Sequence, residues 1–93
     1  MQAERFILQL AEGIIAGGGT ANYTAEGALA MARQVWQRLK ALGPEAYPCL
    51  WEEGGLRFVY QWDESPQVVT VMLWDEQLWR DMAQVVVPPG VGQ

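Results

Sequence analysis

The sequence predicts an α+β fold: an N-terminal helical hairpin packed on a three-stranded antiparallel meander, closed by a short C-terminal helix or strand (order ααβββα). Three observations lead there. Apolar residues recur at helical spacing as far as Leu42, and from Cys49 onward they fall into short alternating runs. Gly43-Pro44 and Pro48 stand between these two regimes. In the second regime a tryptophan followed by two acids occurs three times, as Trp51-Glu52-Glu53, Trp62-Asp63-Glu64 and Trp74-Asp75-Glu76. That is the rhythm of short strands joined by tight turns.

The first helix is expected over residues 3–16, where Phe6, Ile7, Leu10, Ala11, Ile14 and Ile15 share a face. Gly17-Gly18-Gly19 ends it, because consecutive glycines lose too much backbone entropy to stay helical. Thr24 is the expected N-cap of a second helix, and Glu26 complements the dipole in its first turn. That helix runs to Leu42 with Ala25, Ala28, Leu29, Ala32, Val35, Trp36, Leu39 and Leu42 as its apolar stripe. Arg38 and Lys40 sit near its C-terminal end, where cations are favoured, and Gly43-Pro44 stops it. Small Ala28 and Ala32 let the two helices approach as an antiparallel hairpin.

Three strands follow, Cys49 to Glu53, Leu56 to Trp62 and Gln67 to Trp74. Gly54-Gly55 signals a two-residue hairpin, since paired glycines accept the positive φ of a type I′ turn. Asp63-Glu64-Ser65-Pro66 forms the second turn. Beyond Trp74 the sequence leaves two alternatives. Asp75 can cap a short helix with Leu78, Trp79, Met82 and Val86 on one face, or Val85-Val86-Val87 can form a fourth strand. One domain over residues 1–87 and a flexible Pro/Gly tail over 88–93 complete the expected organisation.

These turns fix a register. Trp51 pairs with Phe58, Glu52 with Arg57, Phe58 with Val71 and Arg57 with Met72. One sheet face then carries Cys49, Trp51, Leu56, Phe58, Tyr60, Trp62, Val69, Val71 and Leu73, and packs on the helices. The other carries Leu50, Glu52, Arg57, Val59, Gln61, Val68, Thr70, Met72 and Trp74. This second face is less polar than a solvated face should be, so a terminal helix or another chain is expected to cover it.

Composition narrows the function classes. The chain has 93 residues, 51% of them hydrophobic, with five tryptophans and a net charge of −5. Rings of that size can hold much of a small core. Residues 1–40 carry Glu4, Glu12 and Glu26 against four basic residues; residues 41–79 carry seven acids against Arg57 alone. Such a balance disfavours direct binding to a nucleic-acid backbone and favours a basic protein partner, the alternative being that the acidity only keeps a small apolar chain in solution. No apolar run reaches the roughly 20 residues of a membrane span, and no leader is expected at the N-terminus. Cys49 is the only cysteine, which fits a cytoplasmic chain without disulfides and a buried structural thiol.

Catalytic inventories are thin. With no histidine and only Ser65 and Cys49 as candidate nucleophiles, Ser/His and Cys/His triads and histidine metal sites are excluded. No cofactor is expected. The acid pairs lack the alternating spacing of a calcium loop, and Asp63-Glu64 falls at the opposite sheet end from the other two pairs. Gly17-Gly18-Gly19-Thr20 lacks the lysine and the preceding strand of a phosphate loop. No enzymatic role is expected. Partner binding is expected at Glu52, Glu53, Met72, Trp74, Asp75 and Glu76, where carboxylates adjoin an interface-type tryptophan.

Residues 1–42, with Phe-Ile-Leu-Gln-Leu-Ala, a glycine-rich break and Thr-Ala-Glu-Gly-Ala-Leu-Ala-Met-Ala-Arg, resemble small phage or prophage proteins. Compact acidic phage inhibitors, anti-CRISPR proteins among them, are similar in size and charge. The resemblance implies an inhibitor that blocks a basic, nucleic-acid-binding surface of a host protein. The alternative expectation is a homo-oligomeric structural or phage-assembly protein, dimerising through the sheet.

Overall fold

The computed structural model of the chain describes residues 2–17, 23–41, 49–63 and 65–89. Two helices, α1 (Gln2–Gly17) and α2 (Ala25–Ala41), precede a four-stranded antiparallel sheet. Its strands are β1 (Cys49–Glu53), β2 (Leu56–Gln61), β3 (Val68–Asp75) and β4 (Leu78–Val86), hydrogen-bonded in the order β1-β2-β3-β4. The α+β class of the sequence reading stands. Of the expected joint Gly17-Gly18-Gly19-Thr20 only Gly17, the last residue of α1, is described; residues 18–20, Leu42, the stop at Gly43-Pro44, the connector 45–48, Glu64 and the tail beyond residue 89 lie outside the described residues.

Thr24 is the N-cap of α2. Its hydroxyl accepts the Gly27 N–H at 3.0 Å, and its carbonyl accepts the Ala28 N–H at 2.9 Å. Ala28, Met31, Ala32, Val35 and Leu39 form the buried stripe of α2, and Phe6, Leu10, Ala11 and Ile14 that of α1. The helices pack side by side on one sheet face, α1 over β3 and β4 and α2 over β1. Leu50, Leu56, Phe58, Tyr60, Val69, Val71, Val85 and Val87 meet them from the sheet. Close approach is built into Gly13: a Cβ there would lie 3.1 Å from the Cβ of Ala83 on β4.

The register of the first three strands follows the turns. Trp51 lies opposite Phe58, Glu52 opposite Arg57, Phe58 opposite Val71 and Arg57 opposite Met72. Gly54 and Gly55 turn at φ +57° and +83°, as the hairpin requires.

Four features depart from the sequence reading. The meander has a fourth full strand in place of a C-terminal helix among the described residues. Glu76 and Gln77 take φ of 50° and 67° without glycine, and the chain reverses into β4. The helical spacing of Leu78, Trp79, Met82 and Val86 is overridden by pairing along β3 and by burial of Val85 and Val87. Second, a register shift between Cys49 and Trp51 lets Leu50 enter the core and sets Cys49 opposite Val59. Third, Trp62 lies past the end of β2 and is exposed rather than packed on the helices. Fourth, none of the five tryptophans is fully buried. The interior is filled by Phe, Tyr, Leu, Ile, Val, Met and Ala, and the indoles ring its edge.

Candidate protein-binding face

Opposite the helices, the second sheet face has no covering element among the described residues. A row of paired positions crosses all four strands on it, from Glu52 through Arg57 and Met72 to Asp81. The next row toward the β3–β4 turn carries Trp74 and Trp79. Arg57 ties the two rows together. It ion-pairs with Glu52 at 3.2 Å, and its guanidinium carbon lies 4.0 Å from the centroid of the Trp79 ring. Trp74 meets Trp79 edge to face at 5.3 Å. At the other end of the face, buried Thr70 donates to Gln61 Oε1 at 2.8 Å and accepts from Gln84 Nε2 at 3.5 Å. Thr70 is thereby satisfied beneath two glutamines.

The six residues singled out from sequence share one end of the sheet and divide between its faces. Side chains alternate along a strand, so Glu52, Met72 and Trp74 occupy the open face. Glu53, paired with buried Leu56, and Asp75, two residues beyond Leu73, point to the helix side of the sheet. Glu76 projects from the β3–β4 turn. The β1–β2 turn is tied to β3, because the Trp74 N–H donates to the Gly55 carbonyl at 2.8 Å. On the helix side Tyr23 Oη donates to the Gly54 carbonyl at 3.3 Å, so the same turn is also held from α2's leading end.

Charges here are partly matched within the chain. Arg80 lies 3.4 Å from Asp75 and 3.9 Å from Glu76, in pairs exposed to water and weakly held. Glu53 has no ion-pair partner among the described residues. Five carboxylates at this end (Glu52, Glu53, Asp75, Glu76 and Asp81) face two guanidiniums, Arg57 and Arg80, and the balance stays negative. Among the described residues no group of three or more acidic or cysteine side chains converges as a metal site would.

Trp74 is 47% exposed while Met72 is only half-buried, and Val86 at 54% and Leu78 at 59% exceed both. Sequence reasoning missed Trp79 and Asp81 as members of this face. The signal for Asp81 and Trp79 was hidden with β4 itself; Arg57 was placed on the face, but its contact with Trp79 needed the fourth strand. No helix among the described residues is long and apolar enough to cross a membrane. No protein-family model, curated protein or solved structure matches the chain.

Proposed function

We propose that this chain is a small acidic, non-catalytic protein-interaction module whose open sheet face and acidic end dock on a basic protein surface. The observation that carries it is the half-exposed Trp74 within an end of the sheet where carboxylates outnumber guanidiniums. An indole supplies large rigid contact area, and the surrounding charge steers a cationic surface toward it. On a host protein that uses the same basic surface for nucleic acid, such docking occludes the phosphate contacts, in the manner of a phage-type inhibitor.

The experiment is affinity capture with two baits, the native chain and the variant E52Q/E53Q/D75N/E76Q, eluted in steps of salt. Circular dichroism first establishes that both are folded. The expected result is a stoichiometric basic partner held by the native chain, released by salt and lost from the variant. A partner retained equally by both baits would sink the assignment of this surface.

A second reading is supported by the apolar remainder of the open face. Val59, Val68 and exposed Val86 extend it well beyond the acidic end. In this reading the face meets a second copy of the chain, as a homo-oligomeric structural or phage-assembly component.

A further inference from the structure

We infer that the partner presents an arginine to Trp74, an inference that rests on the proposed docking of a basic protein. The chain already displays the chemistry once within itself. Arg57 is held between the Glu52 carboxylate and the face of the Trp79 indole, 3.2 Å from one and 4.0 Å from the centroid of the other. Guanidinium is planar and weakly hydrated, so it can stack on an indole while its edge hydrogen-bonds a carboxylate. Trp74 offers the next indole in the same row, touching Trp79 edge to face and leaving nearly half its surface open.

The neighbourhood of Trp74 is shaped for an added side chain. Laterally across the sheet its neighbour is Gly55 of the β1–β2 turn, whose carbonyl accepts the Trp74 N–H and which has no side chain to cover the indole. A Cβ built on Gly55 would fall 3.9 Å from the Cβ of Trp74, so a side chain there would occupy the flank of the ring. Glu52 on one side and Asp81 on the other stand in the adjacent row of the open face. Arg57 is committed to Glu52 and Trp79, and the net charge left near Trp74 is negative. A second guanidinium complements it. Lysine would satisfy the charge without the planar stacking, and a neutral side chain would satisfy neither.

The test uses blocked hexapeptides that alternate glycine with arginine, lysine or citrulline, titrated into the folded ¹⁵N-labelled chain while the tryptophan indole N–H signals are followed. The expected result is that the arginine peptide moves the Trp74 signal most. It should bind about twofold tighter than the lysine peptide, because a weakly hydrated planar guanidinium stacks on the indole where an ammonium acts only as a point charge. Citrulline should leave the signal in place, and Trp74→Leu should erase the arginine preference with the fold unchanged by circular dichroism. Equal binding of the arginine and lysine peptides, weakened by salt, would overturn the arginine inference and leave the acidic docking surface standing. Failure of both cationic peptides to move any signal at this end would overturn that surface too.

Discussion

Tyr60 shows what single residues contribute to this fold. Its ring is buried on the helix side of β2, and its hydroxyl donates to Gln67 Oε1 at 2.7 Å. Gln67 in turn donates from Nε2 to the Trp62 carbonyl at 3.0 Å, so one phenol organises the entry into β3. Burial raises the Tyr60 pKa above its ordinary 10.0, because the phenolate would lose hydration. The sign follows directly. Above pH 10 the unfolded chain releases the proton while the native chain keeps it, so stability falls from there up to the raised native value. Tyr60→Phe should cost about 1 kcal/mol at neutral pH through the lost hydrogen bond. The deficit should shrink above pH 10, as read from paired urea melts across the alkaline range. A deficit that is constant with pH would mean that the phenol is not held neutral by the fold.

At the scale of the element, β4 is where sequence and structure parted. β1 to β3 were legible because Gly54-Gly55 fixes a turn and Leu56-Phe58-Tyr60 and Val69-Val71-Leu73 alternate cleanly. β4 has neither advantage: its turn is Glu76-Gln77, and Leu78, Trp79, Met82 and Val86 match a helical face as well as an irregular strand. The two register shifts, at Leu50 and in β4 beside Val71, arise from packing that no local pattern announces. The candidate site was legible in its residue types and its sheet end. Its division between two faces follows from the alternation of Glu52 with Glu53 and Trp74 with Asp75. The part played by Arg57 and Trp79 required a strand that local spacing concealed. The unusual turn yields a prediction. Gln77 holds φ 67° where glycine would be unstrained, so Gln77→Gly should raise stability by about 0.5–1 kcal/mol in chemical denaturation. A lower midpoint would mean that the Gln77 side chain contributes more than its backbone costs.

For the whole molecule, the disposition of cations governs what the surface presents. Arg38 lies over Trp51 and Lys40 over Trp36, with the cations 5.4 Å and 5.8 Å from the ring centroids. Arg57 covers Trp79, and Arg80 meets Asp75 and Glu76. Four of the six basic residues are thus occupied within the chain, and the acids that outnumber them set the outward field. Two copies should repel. The chain is therefore expected to sediment as a 10.4 kDa monomer at low salt, with any self-association strengthening as salt screens the repulsion. A dimer that persists on dilution at low salt, and that Trp74→Asp dissolves, would replace the acidic-docking reading with the homo-oligomer.

The irregularity at Met82 carries one more consequence. Among the described residues β4 is an outermost strand of nine residues, long enough to recruit a stray β-segment along its edge. Met82 is the residue skipped where the pairing steps from Val71–Ala83 to Met72–Asp81, and Arg80 and Asp81 stand charged beside the step. A strand arriving from another molecule would find its hydrogen-bonding ladder broken mid-length and flanked by charge. The open sheet face can therefore stay uncovered without that edge seeding fibrils.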